Sequence, residues 1–195
     1  GTGIIVSQEA YHGTSDLTSG CSPALGTGQT LAATTRLVAA PDQYRFTGED
    51  LGDWFAQKIQ EQIDDLRANG IQFAGFLADS IFSSDGVMPN PVGFLQKAVD
   101  VVHANGGIFI ADEVQPGFAR TGDSFWGFGR HGVVPDIITT GKPMGNGIPV
   151  SGLLAKDKVL SAFSHKIPYF NTFGGNPVAM AAAQAVLKTI QEENL

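Results

Sequence analysis

Apolar residues recur along this chain in two rhythms. Leu51, Trp54, Phe55, Ile59, Ile63 and Leu66 follow one another at spacings of three and four, which predicts an amphipathic helix. Thr47-Gly48-Glu49-Asp50 ahead of it has the form of a capping box, and Asn69-Gly70 stops it. Elsewhere the apolar runs are short and unbroken, as buried strands require: Gly3 to Val6, Arg36 to Ala40, Phe73 to Ala78, Ile108 to Ala111, Ile137 to Thr140 and Val150 to Ala155. Asn90-Pro91 supplies a cap and a first-turn proline for a second helix that ends at Asn105-Gly106-Gly107. Asn176-Pro177 opens a third, through Ala181, Ala185, Leu187 and Ile190. Residues 12–34, rich in Gly, Ser and Thr, show no period and predict a long loop of the kind that carries function.

Strands alternating with helices predict an α/β fold, a mostly parallel sheet with helices on both faces. Only Gly141 to Pro149, broken by glycines and prolines, separates the last two strands. No helical crossover fits there, so the sixth strand is expected to run antiparallel at or near an edge.

The 195 residues suffice for one sizeable core. A formal net charge of -7 argues against nucleic acid or an anionic membrane as partner, since either would want a basic face. No apolar run reaches membrane-spanning length. The single cysteine, Cys21, excludes an internal disulfide and fits a reducing, cytoplasmic setting. No His/Cys/Asp/Glu cluster has the spacing of a metal site.

The informative chemistry sits at strand ends. Asp112 closes the run Ile108-Phe109-Ile110-Ala111, and Lys142 follows Ile137 to Thr140 within Gly141-Lys142-Pro143-Met144-Gly145-Asn146-Gly147. The C-terminal edge of an open parallel sheet is where ligands bind, and desolvation keeps unpartnered charges away from it. A run ending in Asp112-Glu113 also suits the Mg²⁺ carboxylate of P-loop ATPases. That reading requires a Gly-x-x-x-x-Gly-Lys-Ser/Thr cradle. Here Pro143 follows Lys142, and Asp136 stands five residues before Gly141. A strand-end aspartate that only caps its turn is the plain structural alternative. A lysine held by burial in its neutral form is a nucleophile for carbonyls, and a carboxylate suits a pyridinium nitrogen. Lys142 and Asp112 therefore fit pyridoxal phosphate. Tyr11 offers an aromatic face. Thr172, ahead of the last helix, offers a hydroxyl for phosphate, although plain capping by Asn176 explains that segment as well.

Tyr11-His12-Gly13, the run Ala111 to Gly122, Gly132 to Ile137, the Lys142 loop and Thr172 to Pro177 occur together and in order. On these motifs the chain resembles the class III, or omega-type, aminotransferases of pyridoxal-phosphate fold type I. The likeness is greatest to the branch that holds alanine–glyoxylate aminotransferase 2-like proteins and amino-alcohol-phosphate phospho-lyases. The resemblance implies a Schiff base at Lys142 and pairing of Asp112 with the ring nitrogen. It places Tyr11 and Val114 on the ring faces, His12 beside Tyr11 among the cofactor contacts, and Gln115 near the phenolic oxygen. Thr172 would reach the cofactor phosphate of the other subunit of a homodimer. Asp79-Ser80 stands where family members commonly have Glu-Pro, which puts the Asp79 carboxylate near the substrate.

An amino donor and a keto-acid acceptor would be the substrates. A phospho-lyase using the same residues is the alternative, and outside the cofactor class a catalytically silent binding module. Residues 1–195 would form most of the large domain. The phosphate-binding segment normally ahead of the first strand and the C-terminal small domain would lie outside them, so the stretch alone is expected to be inactive.

Overall fold

The computed structural model describes residues 1–195. Six strands form one sheet: β1 (Gly3–Ser7), β2 (Thr35–Val38), β3 (Phe73–Asp79), β4 (Ile108–Asp112), β5 (Ile137–Thr140) and β6 (Gly152–Ala155). Their order is β2-β1-β3-β4-β5-β6. All neighbours are parallel except β5 and β6, which pair antiparallel from Ile137↔Ala155 to Thr140↔Gly152. The short, broken link after β5 dictates this, as its composition predicts. The chain steps from β1 outward to β2 and then crosses back to β3. The direction of winding thus reverses between β1 and β3, which opens a crevice at the C-terminal edge there.

The helices are α1 (Asp16–Ser19), α2 (Leu51–Ala68), α3 (Leu95–Ala104), α4 (Asp157–Ser164) and α5 (Pro177–Glu193). The apolar stripe of α2 buries Phe55, Ile59, Ile63 and Leu66 fully, against α3 and the β1–β4 face. Phe55 packs edge-on to Phe76 of β3 and to Phe82, with centroids 6.0 and 5.6 Å apart, and Phe76 stacks on Phe109 at 5.9 Å. Burying each such ring contributes about 2–3 kcal/mol. Helical cover is realised on this face. On the other, the register partners Leu77, Ile110 and Ile137 are only half-buried.

Three local expectations are corrected. The cap of α2 is Asp50, whose Oδ1 accepts from Asp53 N at 2.9 Å; the reciprocal box from Thr47 does not form. α3 begins at Leu95, after Phe94, so Asn90 and Pro91 lie in the preceding loop. The 12–34 segment carries α1 and a 3-10 turn at Pro23–Leu25, both too short to leave a period. α4, which the sequence reading does not include, follows β6 directly and buries no residue. Asn176 caps α5 as expected, its Oδ1 accepting from Ala179 N at 3.0 Å. None of the helices is long and apolar enough to cross a membrane.

Asp136, just ahead of β5, ties this edge together. Its buried carboxylate accepts from Phe109 N at 3.0 Å, His103 Nε2 at 2.7 Å and Lys156 Nζ at 2.9 Å. Burial pushes its carboxyl up. The Phe109 N–H, Lys156 and His103 outweigh that and hold it below the ordinary carboxylate range. Because the folded value is depressed, its contribution is present near neutral pH and is lost as pH falls through that value. Asp136→Ala is expected to cost about 3 kcal/mol in urea unfolding at pH 7, through the orphaned Phe109 N–H and the unpaired cations. A change within experimental error would contradict this reading of the clamp.

Candidate active site

At the crevice, a cavity of about 240 Å³ is lined by Tyr11, His12, Gly13, Asp79, Ser83, Ser84, Asp112, Val114, Gln115 and Lys142. Of the residues singled out from the sequence, all but Thr172 line it. They come from four separate strand ends, and sheet register aligns them: Asp79 pairs with Asp112, and Asp112 with Thr139, three residues before Lys142.

Asp112 is nearly buried and has no lysine or arginine partner. Its Oδ2 lies 2.7 Å from His12 Nδ1, and its Oδ1 accepts from Val114 N at 3.1 Å. The turn-capping role is thus real, and it leaves the carboxylate facing the cavity. His12 is fixed in turn because its backbone N–H donates to Ser22 Oγ at 2.8 Å. Nε2 of this buried ring has no hydrogen-bond partner.

Lys142 opens the 3-10 turn Lys142–Gly145, closed by Met144 N to Gly141 O at 2.9 Å. Its φ of +36° is a conformation L-residues rarely adopt. Gly145 makes the turn possible, since a Cβ there would lie 2.6 Å from Val150 Cγ1. Lys142 is exposed rather than buried. The burial expected to favour its neutral form is therefore not provided by these residues.

Asp79 lies on the cavity wall with both oxygens engaged by its own turn. Oδ1 accepts from Ile81 N at 2.9 Å; Oδ2 accepts from Ser83 N at 3.1 Å and from Ser83 Oγ. Burial, with a smaller push from Asp112, raises its carboxyl above the ordinary range against these donors. The turn is held from below by Phe82, fully buried at φ +51°, and from the side by Asp85, which accepts from Ser7 Oγ at 2.6 Å and Glu9 N at 3.0 Å.

Thr172 stands apart, exposed in a segment flanked by Phe170 and Phe173, which are 84% and 80% exposed.

A second layer of buried polar groups, not singled out by any sequence motif, lies beneath the cavity. Glu113 is fully buried, and its carboxylate accepts from Ser80 Oγ at 2.6 Å, Gly127 N at 2.6 Å and Phe128 N at 3.1 Å. Ser80 O faces His131 Nε2 at 3.0 Å, and His131 Nδ1 accepts from Gly93 N at 3.2 Å. His131 looks incidental in the sequence; the structure makes it a neutral bridge whose tautomer is set by these two partners. Only Glu113 left a sequence signal, as the odd acidic residue after Asp112.

The cavity brings together an amine in Lys142, a carboxylate without a lysine or arginine partner in Asp112, flat or branched apolar side chains in Tyr11 and Val114, and an amide in Gln115, chemistry that suits the ring and aldehyde of pyridoxal phosphate. A profile of the class-III aminotransferases matches residues 1–195. The chain belongs to the class-III aminotransferase family. Pyridoxal phosphate is the cofactor of that family, and the sheet is that of the fold-type I enzymes.

The chain is 38% identical to an alanine–glyoxylate aminotransferase 2-like protein of Drosophila melanogaster, over 98% of this chain and 41% of that protein. It is 43% identical to the human mitochondrial alanine–glyoxylate aminotransferase 2, over 73% of this chain and 27% of that protein. A phospholyase from Arthrobacter, solved in complex with phosphoethanolamine, superposes with a TM-score of 0.91 at 36% identity. That match covers 99% of this chain and 46% of the phospholyase. The class-III chain thus spans less than half the length of these relatives.

Burial pushes the His131 imidazole down to about 4. Its folded value lies below its unfolded one, so the unfolded state alone takes up a proton as pH falls from about 6.5. Stability is therefore expected to drop by about 3 kcal/mol between pH 6.5 and 4 on account of this group. His131→Gln keeps a donor and an acceptor without titrating, and urea unfolding across that range should show the drop reduced by that amount. An identical pH slope in the variant would contradict the bridge.

Proposed function

We propose that residues 1–195 form most of the large domain of an aminotransferase that moves an amino group from a donor to a keto acid or aldehyde. One observation carries this: Asp112 and Lys142 leave adjacent strands and meet at a single cavity with Tyr11, His12, Val114 and Gln115. Pyridoxal phosphate bound there would supply an aldehyde that condenses with amines and a ring that accepts an electron pair from the substrate α-carbon.

The chain's own residues then have distinct tasks. Lys142 Nζ would hold the cofactor's aldehyde and, once freed by the substrate amine, would serve as the base for the proton on the substrate α-carbon. Asp112 keeps a proton on the ring nitrogen, which makes the ring the better electron acceptor. His12 Nδ1 and Val114 N–H hold that carboxylate in one orientation. Tyr11 and Val114 bound the ring faces, and Gln115 serves the phenolic oxygen. Asp79 stands near the substrate as the former of the Ser83–Ser84 wall. Thr172, exposed beside Phe170 and Phe173, serves the cofactor phosphate of a partner subunit in a homodimer. A second reading, a phospho-lyase in which phosphate leaves from the β-carbon after the same α-proton is removed, is favoured by the likeness to the Arthrobacter phospholyase.

In the full-length protein, Lys142→Ala is expected to abolish both turnover and the visible absorbance that pyridoxal phosphate acquires on a lysine. Asp112→Asn should retain cofactor and lose about a hundredfold or more in rate. Wild-type rates in Asp112→Asn would sink the pairing. Release of inorganic phosphate from phosphoethanolamine, without amino transfer to a keto acid, would select the second reading.

A further inference from the structure

Successive residues of an extended strand point to opposite sides. Asp112 turns to the cavity, and Glu113 turns to the layer beneath it. Glu113 has no cationic partner, is fully buried, and is surrounded by donors. A carboxylate without a counter-ion is a costly group to bury, and a plain structural site would be filled more favourably by an apolar residue. What distinguishes a carboxylate is that it accepts from several directions at once.

Those directions matter here. Ser80 is the residue after Asp79, so the Ser80 Oγ bond ties the end of β3 to the end of β4. Gly127 and Phe128 belong to the 3-10 turn Gly127–His131, which closes the loop that begins with Val114 and Gln115. Gly127 is packed so that a Cβ would lie 2.5 Å from both Pro116 Cβ and Ser80 Oγ, and this close approach brings its N–H to within 2.6 Å of Glu113. Glu113 O also accepts from Gly117 N at 3.0 Å, closing the turn that holds Val114 and Gln115.

We propose that Glu113 is a positioning residue for the cofactor chemistry: its carboxylate locks the β3 end, the β4 end and the 114–128 loop to one another, and so sets where Asp79, Asp112, Val114 and Gln115 stand around the cavity. The inference rests on the reading of Asp112 and Lys142 given above. Burial raises the Glu113 carboxyl above its ordinary range while Ser80, Gly127 and Phe128 pull it back, as a desolvated carboxylate held only by dipoles should behave. His131 extends the lock through Ser80 O to Gly93 N.

The test compares full-length wild type, Glu113→Gln and the milder Ser80→Ala, each checked for folding by circular dichroism. Glu113→Gln keeps the volume but turns an NH₂ toward at least one of the three donors. We expect it to weaken pyridoxal phosphate binding and to lower kcat per bound cofactor tenfold or more, toward the roughly hundredfold that a 1 Å misplacement can cost. KM should change little, and the pH midpoint of the visible band should shift. Ser80→Ala should move the same quantities in the same direction by less. In the cofactor-free proteins, hydrogen exchange at the Gly127 and Phe128 amides should accelerate in Glu113→Gln. Folded variants with wild-type band, affinity and kcat would overturn the proposal and reduce Glu113 to a part of the fold. A wild type without a visible band would instead overturn the underlying reading of Lys142.

Discussion

The end of β4 has to hold two carboxylates on consecutive residues where water is largely excluded. Strand geometry separates them, sending Asp112 to the cavity and Glu113 to the packed side. Neither is neutralised by lysine or arginine. Each is held by directional donors: an imidazole and a backbone N–H for Asp112, a hydroxyl and two backbone N–H groups for Glu113. This leaves the Asp112 charge available to a ligand. A nearby arginine would hold it against that use, because a paired ion gives up its partner only at a cost.

The surrounding fold serves that arrangement. The aromatic core under β3 and β4 anchors Phe82, which fixes the turn bearing Asp79 and Ser83. The Asp136 clamp fixes β5 against β4, and with it the origin of the Lys142 turn. Lys142 takes its unusual φ at the start of that turn, and Gly145 lets the turn lie close to Val150. Less constrained parts lie at the other end of the chain, where aromatic residues around Thr172 are exposed.

The sheet was legible because buried strands leave unbroken apolar runs, and all six runs are strands. The antiparallel sense of β6 was legible from a connection too short for a helix. Helix starts were less so: Asp50 displaced the expected capping box, and the start of α3 moved from Pro91 to Leu95 because local cap chemistry yielded to packing of Phe94 and Leu95 in the core. At the site, Asp112, Lys142 and Tyr11 could be picked out by their places after strands. The contact of His12 with Asp112 could not, since it joins residues 100 positions apart. The link among Glu113, Ser80 and His131 was hidden for the same reason: a buried polar lock is a property of the tertiary neighbourhood, with no spacing of its own.

The central claim is that Lys142 is the residue that carries the cofactor. Treating the full-length protein with pyridoxal phosphate and borohydride, then mapping the peptides by mass spectrometry, tests it directly. The account predicts a stable pyridoxyl mass on the peptide containing Lys142, stoichiometric with protein. Stoichiometric labelling at a different lysine, or no label where the folded protein retains bound cofactor, would contradict it.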